Sequence, residues 1–146
     1  MIDLIIANFN KIAATILSSS FVGYIGYRTY QKTRFNQAAA AFRSRVFAEL
    51  KGLYPVTQYW DMQTFPRFSQ SITEIESAAA EFRFHVTRKR AFDAAVKEYC
   101  DHCKKTSWNE CAAWSMYPTM RKEGEISPRE KFDHLVKSLL SFAEKK

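Results

Sequence analysis

Apolar residues recur at intervals of three and four along most of this chain, which is the spacing of amphipathic α-helices. The longest stripe runs from residue 31 to 51 and follows an apolar segment without a proline between them. We therefore expect one long N-terminal helix that ends at Gly52, with Pro55 just beyond it. No segment alternates with period two over the length of a β-strand, so the predicted fold class is all-α.

Four further helices are predicted from cap and stripe patterns. Residues 71–74 (Ser-Ile-Thr-Glu) match a capping box and predict the start of a second helix, after an irregular connector at 54–70. Thr87 is the predicted N-cap of a third helix, Ser107 of a short fourth, and Ser127 of the last. The apolar positions predicted to face the core are Phe35, Ala38, Ala39, Phe42, Val46 and Leu50, then Ile72, Ile75, Ala79, Phe82 and Val86, then Phe92, Val96, Tyr99 and Cys103, and finally Phe132, Leu135, Val136, Leu139, Leu140 and Ala143.

The segment between Lys11 and Arg28 carries no charged side chain and predicts a transmembrane helix at about residues 12–28. The uncharged run of about 16 residues is slightly short for a span, but the two flanking basic side chains can extend it by snorkelling to the interfaces. The chain then divides into an N-terminal segment, 1–30, and a basic helical cytosolic domain, 31–146. The strongly apolar side chains of the predicted span are Ile12, Ile16, Leu17, Phe21, Val22 and Ile25.

Three other interpretations of this segment stay open. The apolar series that begins at Ile2 has helical spacing, as in a helix that lies in the membrane interface, but residues 21–27 offer no charged face for that arrangement. A buried core helix is the second interpretation. A cleaved secretory signal is the third, and it is disfavoured because Asp3 precedes the only nearby lysine and no small-residue cleavage site follows.

The orientation of a span follows from its flanking charges. Five basic residues follow the predicted span within a short distance, whereas Lys11 alone precedes it. Because basic flanks stay in the cytoplasm, we expect the N-terminus outside and the C-terminal domain in the cytoplasm. Tyr24, Tyr27 and Tyr30 suit the aromatic belt found at membrane interfaces.

Composition fits one small domain. The chain has 146 residues, of which 12 are Phe, 7 Tyr and 3 Trp, and these aromatic residues can fill a core. Four Gly and four Pro are too few for an all-β sandwich with many tight turns. The net charge of +7 suits an anionic partner, either a lipid surface or a nucleic acid.

The cysteines are the first candidate for chemistry. Cys100 and Cys103 form a CxxC pair which, together with Cys111 and either His102 or His134, could supply four ligands for zinc. A second CxxC or HxxxH motif is lacking, so we expect reduced thiols packed in the core and no cofactor, with zinc as the alternative. A Cys–His nucleophile needs a base oriented by a third group, and the three scattered histidines do not indicate one. The protein is therefore not expected to be an enzyme.

Charged clusters are the remaining candidates. A basic patch is predicted from Arg88, Lys89, Arg90, Lys104 and Lys105, joined by Arg121 and Lys122. It suits anionic lipid near a membrane, or phosphates of a nucleic acid, although no nucleic-acid-binding motif accompanies it. The carboxylates considered for acid–base work are Asp61, Glu74, Glu76 and Glu81, which we interpret as solvated surface charge.

The strings at 35–47 (FNQAAAAFRSRVF), 76–84 (ESAAAEFRF) and 89–100 (KRAFDAAVKEYC) carry a resemblance that covers most of the chain. In these strings the chain resembles small uncharacterised bacterial single-pass membrane proteins with a helical cytosolic part. The resemblance implies an inner-membrane location and this architecture, and it implies no activity.

Two classes of function follow. The first is a single-pass, membrane-anchored interaction or accessory protein whose partners are the lipid bilayer and a protein or a second copy of itself. Ser19 and Gly23 form a small-xxx-small pair that would let a second span approach closely. The alternative is a soluble basic helical module that binds nucleic acid or an acidic protein.

Overall fold

The computed structural model describes the backbone of residues 2–55, 65–116 and 126–144, and side chains from residue 23 onward within these ranges except at 112, 113, 115 and 116. The described residues form five α-helices and a 3₁₀ turn, and they contain no β-strand. The all-α prediction is therefore confirmed for them. The elements are α1 (Ile2–Glu49), α2 (Phe65–Phe82), the 3₁₀ turn (Arg83–His85), α3 (Lys89–Lys105), α4 (Trp108–Met116) and α5 (Pro128–Ser141).

The chain separates into two compact units, Met1–Phe35 and Asn36–Lys146. In its described part, the first unit is the N-terminal stretch of α1. The second unit holds the rest of α1 together with all the other helices. Within it α3 packs against both α2 and α5, and α4 packs against α5. Apart from Phe35, the buried core residues lie in this second unit, as do most of the candidate site residues.

The long first helix is confirmed, together with its predicted end. Helix α1 ends at Glu49, and the Leu50 N–H still donates to the Val46 carbonyl at 2.9 Å. Gly52 has φ 88°, the left-handed conformation that a residue without Cβ adopts without strain. The chain therefore leaves the helix where the glycine predicts.

The predicted caps of α4 and α5 are confirmed as reciprocal capping boxes. The Ser127 hydroxyl accepts from the Glu130 N–H at 3.0 Å, and the Glu130 carboxylate accepts from the Ser127 N–H at 3.0 Å. Ser107 and Glu110 make the same pair of bonds at 3.3 and 3.0 Å. Each box satisfies two backbone donors that a helix start leaves without partners.

The predicted start of the second helix at residue 71 is wrong. Helix α2 begins at Phe65, so residues 65–70 are helical and not part of an irregular connector, whereas 56–64 lie outside the described residues. Ser71 is buried within α2, where its hydroxyl donates to the Phe68 carbonyl at 2.8 Å and lies 3.4 Å from the Tyr99 hydroxyl. A serine bonded back to the preceding turn has the same sequence signature as a helix cap, and only its neighbours in space distinguish the two.

Two aromatic clusters form the centre of the second unit. In the first, the Phe42 ring stacks on Phe82 at 4.8 Å and meets the edge of Phe92 at 5.9 Å, and Phe92 contacts Phe142 at 5.3 Å. This cluster joins α1, α2 and α3 to the residue that follows α5. The second cluster joins α2, α3, α4 and α5, and its rings are Phe65, Phe68, Tyr99, Trp108 and Phe132.

The helical stripes predicted the core well. Nearly all of their positions are buried, and Ala38, Val96 and Leu140 are the ones that stay partly exposed. Cys100 and Cys111 are buried as well, although they lie outside the predicted stripes. Burial of each large side chain in such a core stabilises the fold by roughly 1.5–3 kcal/mol before the entropy of ordering is subtracted.

The membrane-spanning part of the predicted fold is not supported. No helix in the described part of the chain is long and apolar enough to cross a membrane. The backbone of 12–28 is helical throughout, and the Ile25 side chain is 48% exposed. The other five apolar side chains of the predicted span lie outside the described side chains; they are Ile12, Ile16, Leu17, Phe21 and Val22.

Candidate functional site

The three cysteines are free thiols, and all three are buried. Burial raises the pKa of Cys100 to about 12, with the Glu76 carboxylate beside it adding to the effect. It raises the pKa of Cys103 to about 12 and that of Cys111 to about 11. Because the thiolate is the nucleophile and the metal ligand, thiols with raised pKa values must first lose a tightly held proton before they can act in either way.

His102 has a partner of its own on another helix. Its Nε2 lies 2.9 Å from the Pro128 carbonyl oxygen at the start of α5, and burial lowers its pKa. The neutral ring can donate a hydrogen bond to that carbonyl, so His102 links the C-terminal end of α3 to α5. This contact turns the ring toward the backbone of α5.

The structure does not assemble the zinc candidates into one site. In the ranges it describes, no three His, Cys, Asp or Glu side chains are grouped so that they could hold a metal ion. Cys100 contacts Glu76 on α2, Cys103 lies against Tyr99, and His102 faces the start of α5. The alternative ligand His134 is exposed on α5.

A groove of about 360 Å³ lies between α2 and α3. Its apolar wall includes Ala79, Phe92 and Val96, and the Cys100 thiol lies at the same surface. Three ion pairs border it: Arg83–Asp93 at 2.6 Å, Lys97–Asp101 at 2.5 Å and Lys104–Glu76 at 3.5 Å. Since each cation is paired with a carboxylate, the border of the groove is close to electrically neutral.

The carboxylates considered for acid–base work are ion-paired where they are described. Arg45 on α1 contacts the carboxylates of Glu81 at 2.8 Å and Glu74 at 3.8 Å, both on α2. Beside these pairs lies a smaller cleft of about 140 Å³ between α1 and α2, lined by Ala38, Ala41 and Ala78 among others. Asp61 lies outside the described residues. The ion pairs join two helices across the surface, which is a structural role.

The predicted basic patch is divided between the two ends of α3. Arg88, Lys89 and Arg90 are exposed at its beginning, and Lys104 and Lys105 are exposed at its end. At 1.5 Å per residue, Lys89 and Lys105 are about 24 Å apart along the helix. The Arg88 guanidinium lies over the Phe142 ring at 5.6 Å. Arg121 and Lys122 lie outside the described residues.

The first unit exposes aromatic and apolar side chains. Tyr24, Tyr27 and Tyr30 are 57%, 62% and 57% exposed. Arg28 lies over the Tyr24 ring and Arg34 over the Tyr30 ring, each at 5.6 Å, so two of the tyrosines are paired with a cation four residues along the helix. The tyrosine hydroxyl, the ring and the neighbouring cation together form an amphipathic surface.

Phe84 is exposed, although no sequence motif singles it out. Phe84, in the 3₁₀ turn between α2 and α3, is 79% exposed, more than any other large hydrophobic side chain of known burial in this chain. It lies two positions after Phe82 and two before Val86, both of which are buried. The sequence does contain a sign of this exposure. Phe84 is out of phase with the buried stripe of α2, and the cations Arg88, Lys89 and Arg90 follow it closely.

No known protein family, curated protein or solved structure matches this chain. What the candidate residues can do therefore follows from their own contacts. The thiols and His102 are engaged in the core, and most of the charged groups on α2 are ion-paired. The exposed tyrosines of the first unit and the exposed cations and Phe84 of the second unit are among the groups that can meet another molecule.

Proposed function

We propose that the protein is a single-pass, membrane-anchored helical interaction protein without catalytic activity of its own. The span is residues 12–28, the N-terminus lies outside, and the helical domain lies in the cytoplasm at a bacterial inner membrane. The first support is the sequence: residues 12–27 carry no charged side chain, Lys11 and Arg28 flank them, and positive charge is in excess on the C-terminal side.

The observation that carries the proposal is the exposed aromatic surface that begins in the last turns of the proposed span and continues past its end. Tyr24, Ile25, Tyr27 and Tyr30 are each about half exposed or more on one helix. Tyrosine is enriched at membrane interfaces, because its ring is apolar and its hydroxyl is polar. The guanidinium groups stacked on two of these rings can reach lipid phosphates at the same depth.

The proposed partners are the lipid bilayer and a protein, which can be a second copy of the chain. An added Cβ at Gly23 or Gly26 would meet no atom within 4 Å, so the backbone on that side of the helix is open to close approach. Together with Ser19, Gly23 supplies the small-xxx-small spacing of packed transmembrane helices.

The absence of catalysis is proposed because no described nucleophile is activated. The thiols have raised pKa values, and His102 is bonded to a backbone carbonyl. No cofactor is included in the proposal. A zinc determination on protein purified without chelators tests the alternative, in which the cysteines bind a metal.

Membrane fractionation with a charged substitution tests the proposal. The intact chain is expected in the pellet after a carbonate wash, and Leu17→Arg should move much of it to the supernatant. A cation at the centre of a span costs about 2.5–3.5 kcal/mol of insertion free energy. Leu17→Ile keeps the apolar character and should remain in the pellet. Recovery of the unchanged chain in the supernatant would contradict the proposal.

A second candidate function is a soluble module that binds nucleic acid or an acidic protein. The exposed cations at both ends of α3 favour it. In that case the chain should appear in the carbonate supernatant and be retained on heparin in a salt-dependent way, because phosphate binding releases counterions.

A further inference from the structure

The turn between α2 and α3 presents an aromatic side chain to the outside. Phe84 is the middle residue of the 3₁₀ turn Arg83–His85, and its ring is 79% exposed. Exposed single apolar residues are common on protein surfaces and need no explanation by themselves. Three further observations indicate that the exposed Phe84 ring contacts another molecule.

The turn is held in a fixed conformation. Phe82 and Val86, on either side of Phe84 in sequence, are 2% and 5% exposed, so both are packed in the core. Arg83 donates two hydrogen bonds to the carboxylate of Asp93, at 2.6 and 2.8 Å. These contacts join the end of α2 to the first turns of α3 and leave Phe84 outward between two buried anchors. The exposed ring is therefore preorganised for contact with another surface.

Three consecutive cations follow the ring. Arg88, Lys89 and Arg90 are exposed, and among the described residues none of them forms an ion pair with a carboxylate, although Arg88 lies over the Phe142 ring and Lys89 is near enough to Asp93 to help lower the pKa of that carboxyl. They are within six positions of Phe84, hence within about 22 Å of it even along an extended chain.

These cations oppose the local electrostatics of the helix. The first turn of α3 has no acidic residue, and positive charge at a helix N-terminus is disfavoured by the backbone dipole. A solvated helix face would place such cations more favourably at the other end. Their position is explained if they meet an anionic surface outside the chain.

We propose that Phe84, Arg88, Lys89 and Arg90, here called the hairpin tip, bind an anionic lipid surface, with the Phe84 ring in the interface and the cations on the phosphates. An aromatic ring beside cations is the composition of interfacial membrane anchors. The inference rests on the proposed membrane anchor, and it adds that the helical domain itself contacts the bilayer through the hairpin tip. Nucleic acid is the competing anion, and the experiment separates the two.

The test is hydrogen exchange of the full chain in lipid nanodiscs. The chain is placed in discs of phosphatidylcholine alone and in discs that contain roughly 30% phosphatidylserine, which gives an anionic surface. Exchange of the backbone amides of 83–90 is expected to be at least about fivefold slower in the anionic discs, since each basic side chain near such a surface contributes about that factor. Raising the salt to about 0.5 M should remove most of the difference.

Two variants remove the two parts of the hairpin tip. Phe84→Ser removes the ring, and the triple change Arg88→Gln, Lys89→Gln and Arg90→Gln removes the charges. Both should abolish the slower exchange in anionic discs. Circular dichroism shows whether each variant keeps its helices, and a variant that loses them is replaced by Phe84→Gln or by the single change Arg90→Gln.

Matched controls make similar changes elsewhere on the second unit. Ile126→Ser removes another exposed apolar side chain, which is 57% exposed. Lys51→Gln, Arg67→Gln and Lys131→Gln together remove three exposed cations outside the hairpin tip. These variants should retain the lipid-dependent protection of 83–90. Equal loss in the control and tip variants would overturn the inference, because net charge alone would then account for binding.

Failure of the inference and failure of the proposed function give different results. A chain that inserts into both kinds of disc without protection of 83–90 keeps the anchor and overturns the hairpin tip. A chain that does not insert overturns the anchor, and flotation with phosphatidylserine vesicles then tests the hairpin tip on the soluble chain, where the tip variants should not float. Protection by polyuridylic acid RNA in the absence of protection by anionic lipid would assign the hairpin tip to nucleic acid and overturn the inference.

Discussion

Phe42 is the residue on which three helices converge. It is 2% exposed, and its ring contacts Phe82 and Phe92 on α2 and α3. The sequence identified it through the stripe of the first helix, because its position is fixed by helical periodicity. The partners of the ring were not predicted, because a stripe shows which face is buried and not what covers it.

Phe42→Ala is expected to destabilise the protein by about 3–5 kcal/mol, because it leaves a cavity beside the Phe82 and Phe92 rings. Phe47→Ala is the matched control on the same helix, since Phe47 is 46% exposed and contacts Tyr54 at the surface. It should cost less than about 1 kcal/mol. Urea unfolding followed by far-UV circular dichroism measures both. Similar losses for the two variants would contradict the packing described here.

The buried thiols predict a loss of stability in alkaline solution. Burial raises the pKa of Cys100 and Cys103 to about 12 and that of Cys111 to about 11, from 9.0 for a free thiol, and it raises the pKa of the Tyr99 hydroxyl in the same direction. Between about pH 9 and 12 the unfolded chain therefore binds fewer protons than the folded one. The free energy of unfolding falls as the pH rises through this window and is unaffected by these groups below it.

The pH dependence of urea unfolding between pH 8 and 10.5 checks this expectation. A variant with Cys100→Ala, Cys103→Ala and Cys111→Ala should show a shallower decline than the unchanged chain over the same window, because its unfolded state has no thiols to ionise. In the folded protein at pH 8 the three thiols should also react slowly with a maleimide, and they should react quickly in urea. An identical alkaline decline in both proteins would refute the assignment to the thiols.

At the scale of elements, some helix ends depend only on residues nearby in sequence, whereas others depend on tertiary contacts. The capping boxes of α4 and α5 and the left-handed Gly52 were predicted because each depends on residues within four positions of one another. The supposed box at 71–74 had the same local pattern and was wrong. Burial of Ser71 against Tyr99 places that segment inside a helix that starts six residues earlier.

Ser127→Ala should destabilise the protein by about 1 kcal/mol, within the range of about 0.5–2 kcal/mol for helix N-caps. Ser127 is 7% exposed, so the Glu130 N–H that it binds has little access to replacement water. Ser107→Ala is the matched comparison, because the Ser107 cap is exposed and its bond to the Glu110 N–H is longer, 3.3 Å. It should cost about half as much or less. Thermal unfolding of the two variants gives the comparison, and a larger loss at Ser107 would contradict it.

The arrangement of the helices also explains why the predicted basic patch is divided into two groups. Its five residues are close in sequence only in two groups, and the 17-residue helix α3 separates those groups. The structure also pairs Lys104 with Glu76 on α2, which partly neutralises the second group. The first group, at the beginning of α3, forms no ion pair with a carboxylate among the described residues, although Arg88 lies over the Phe142 ring. Sequence could not decide this, because ion pairs between helices depend on which faces meet.

At the scale of the whole molecule, the buried core lies in the second unit except for Phe35, the last residue of the first unit. The buried residues of α1 within Asn36–Lys146 are Ala39, Phe42 and Val46, followed by Leu50 just after the helix. The C-terminal part of α1 is therefore one wall of the core. The first unit is, in its described part, a single helix, and an isolated helix in water is stabilised mainly by packing against something else.

A fragment of residues 36–146 is expected to fold cooperatively by itself, with a urea midpoint close to that of the full chain. A fragment of residues 50–146 is the matched control and should not fold, because it lacks Ala39, Phe42 and Val46, whose loss leaves the aromatic cluster open. Urea titration followed by circular dichroism distinguishes them. Non-cooperative unfolding of the longer fragment would show that residues 2–35 are needed for the core.

The protein has a net charge of +7, and only some of its cations are ion-paired with carboxylates. Arg45, Arg83, Lys97, Lys104 and Lys137 each form an ion pair with a carboxylate. The exposed cations of the hairpin tip have none among the described residues. Part of the positive charge is therefore available at the beginning of α3 and beside the tyrosines of α1, which is where the two proposals place an anionic lipid surface.

The sequence by itself determined the helices, their buried stripes, two of the caps and the end of α1, since these depend on neighbours one or two helical turns away. Only the tertiary structure decided the start of α2, the engagement of the cysteines and His102 with separate partners, the division of the basic residues, and the exposure of Phe84. The physical reason is that each of these depends on which helix faces meet. Ion pairing, desolvation and burial are properties of such contacts, and periodicity along the chain does not specify them.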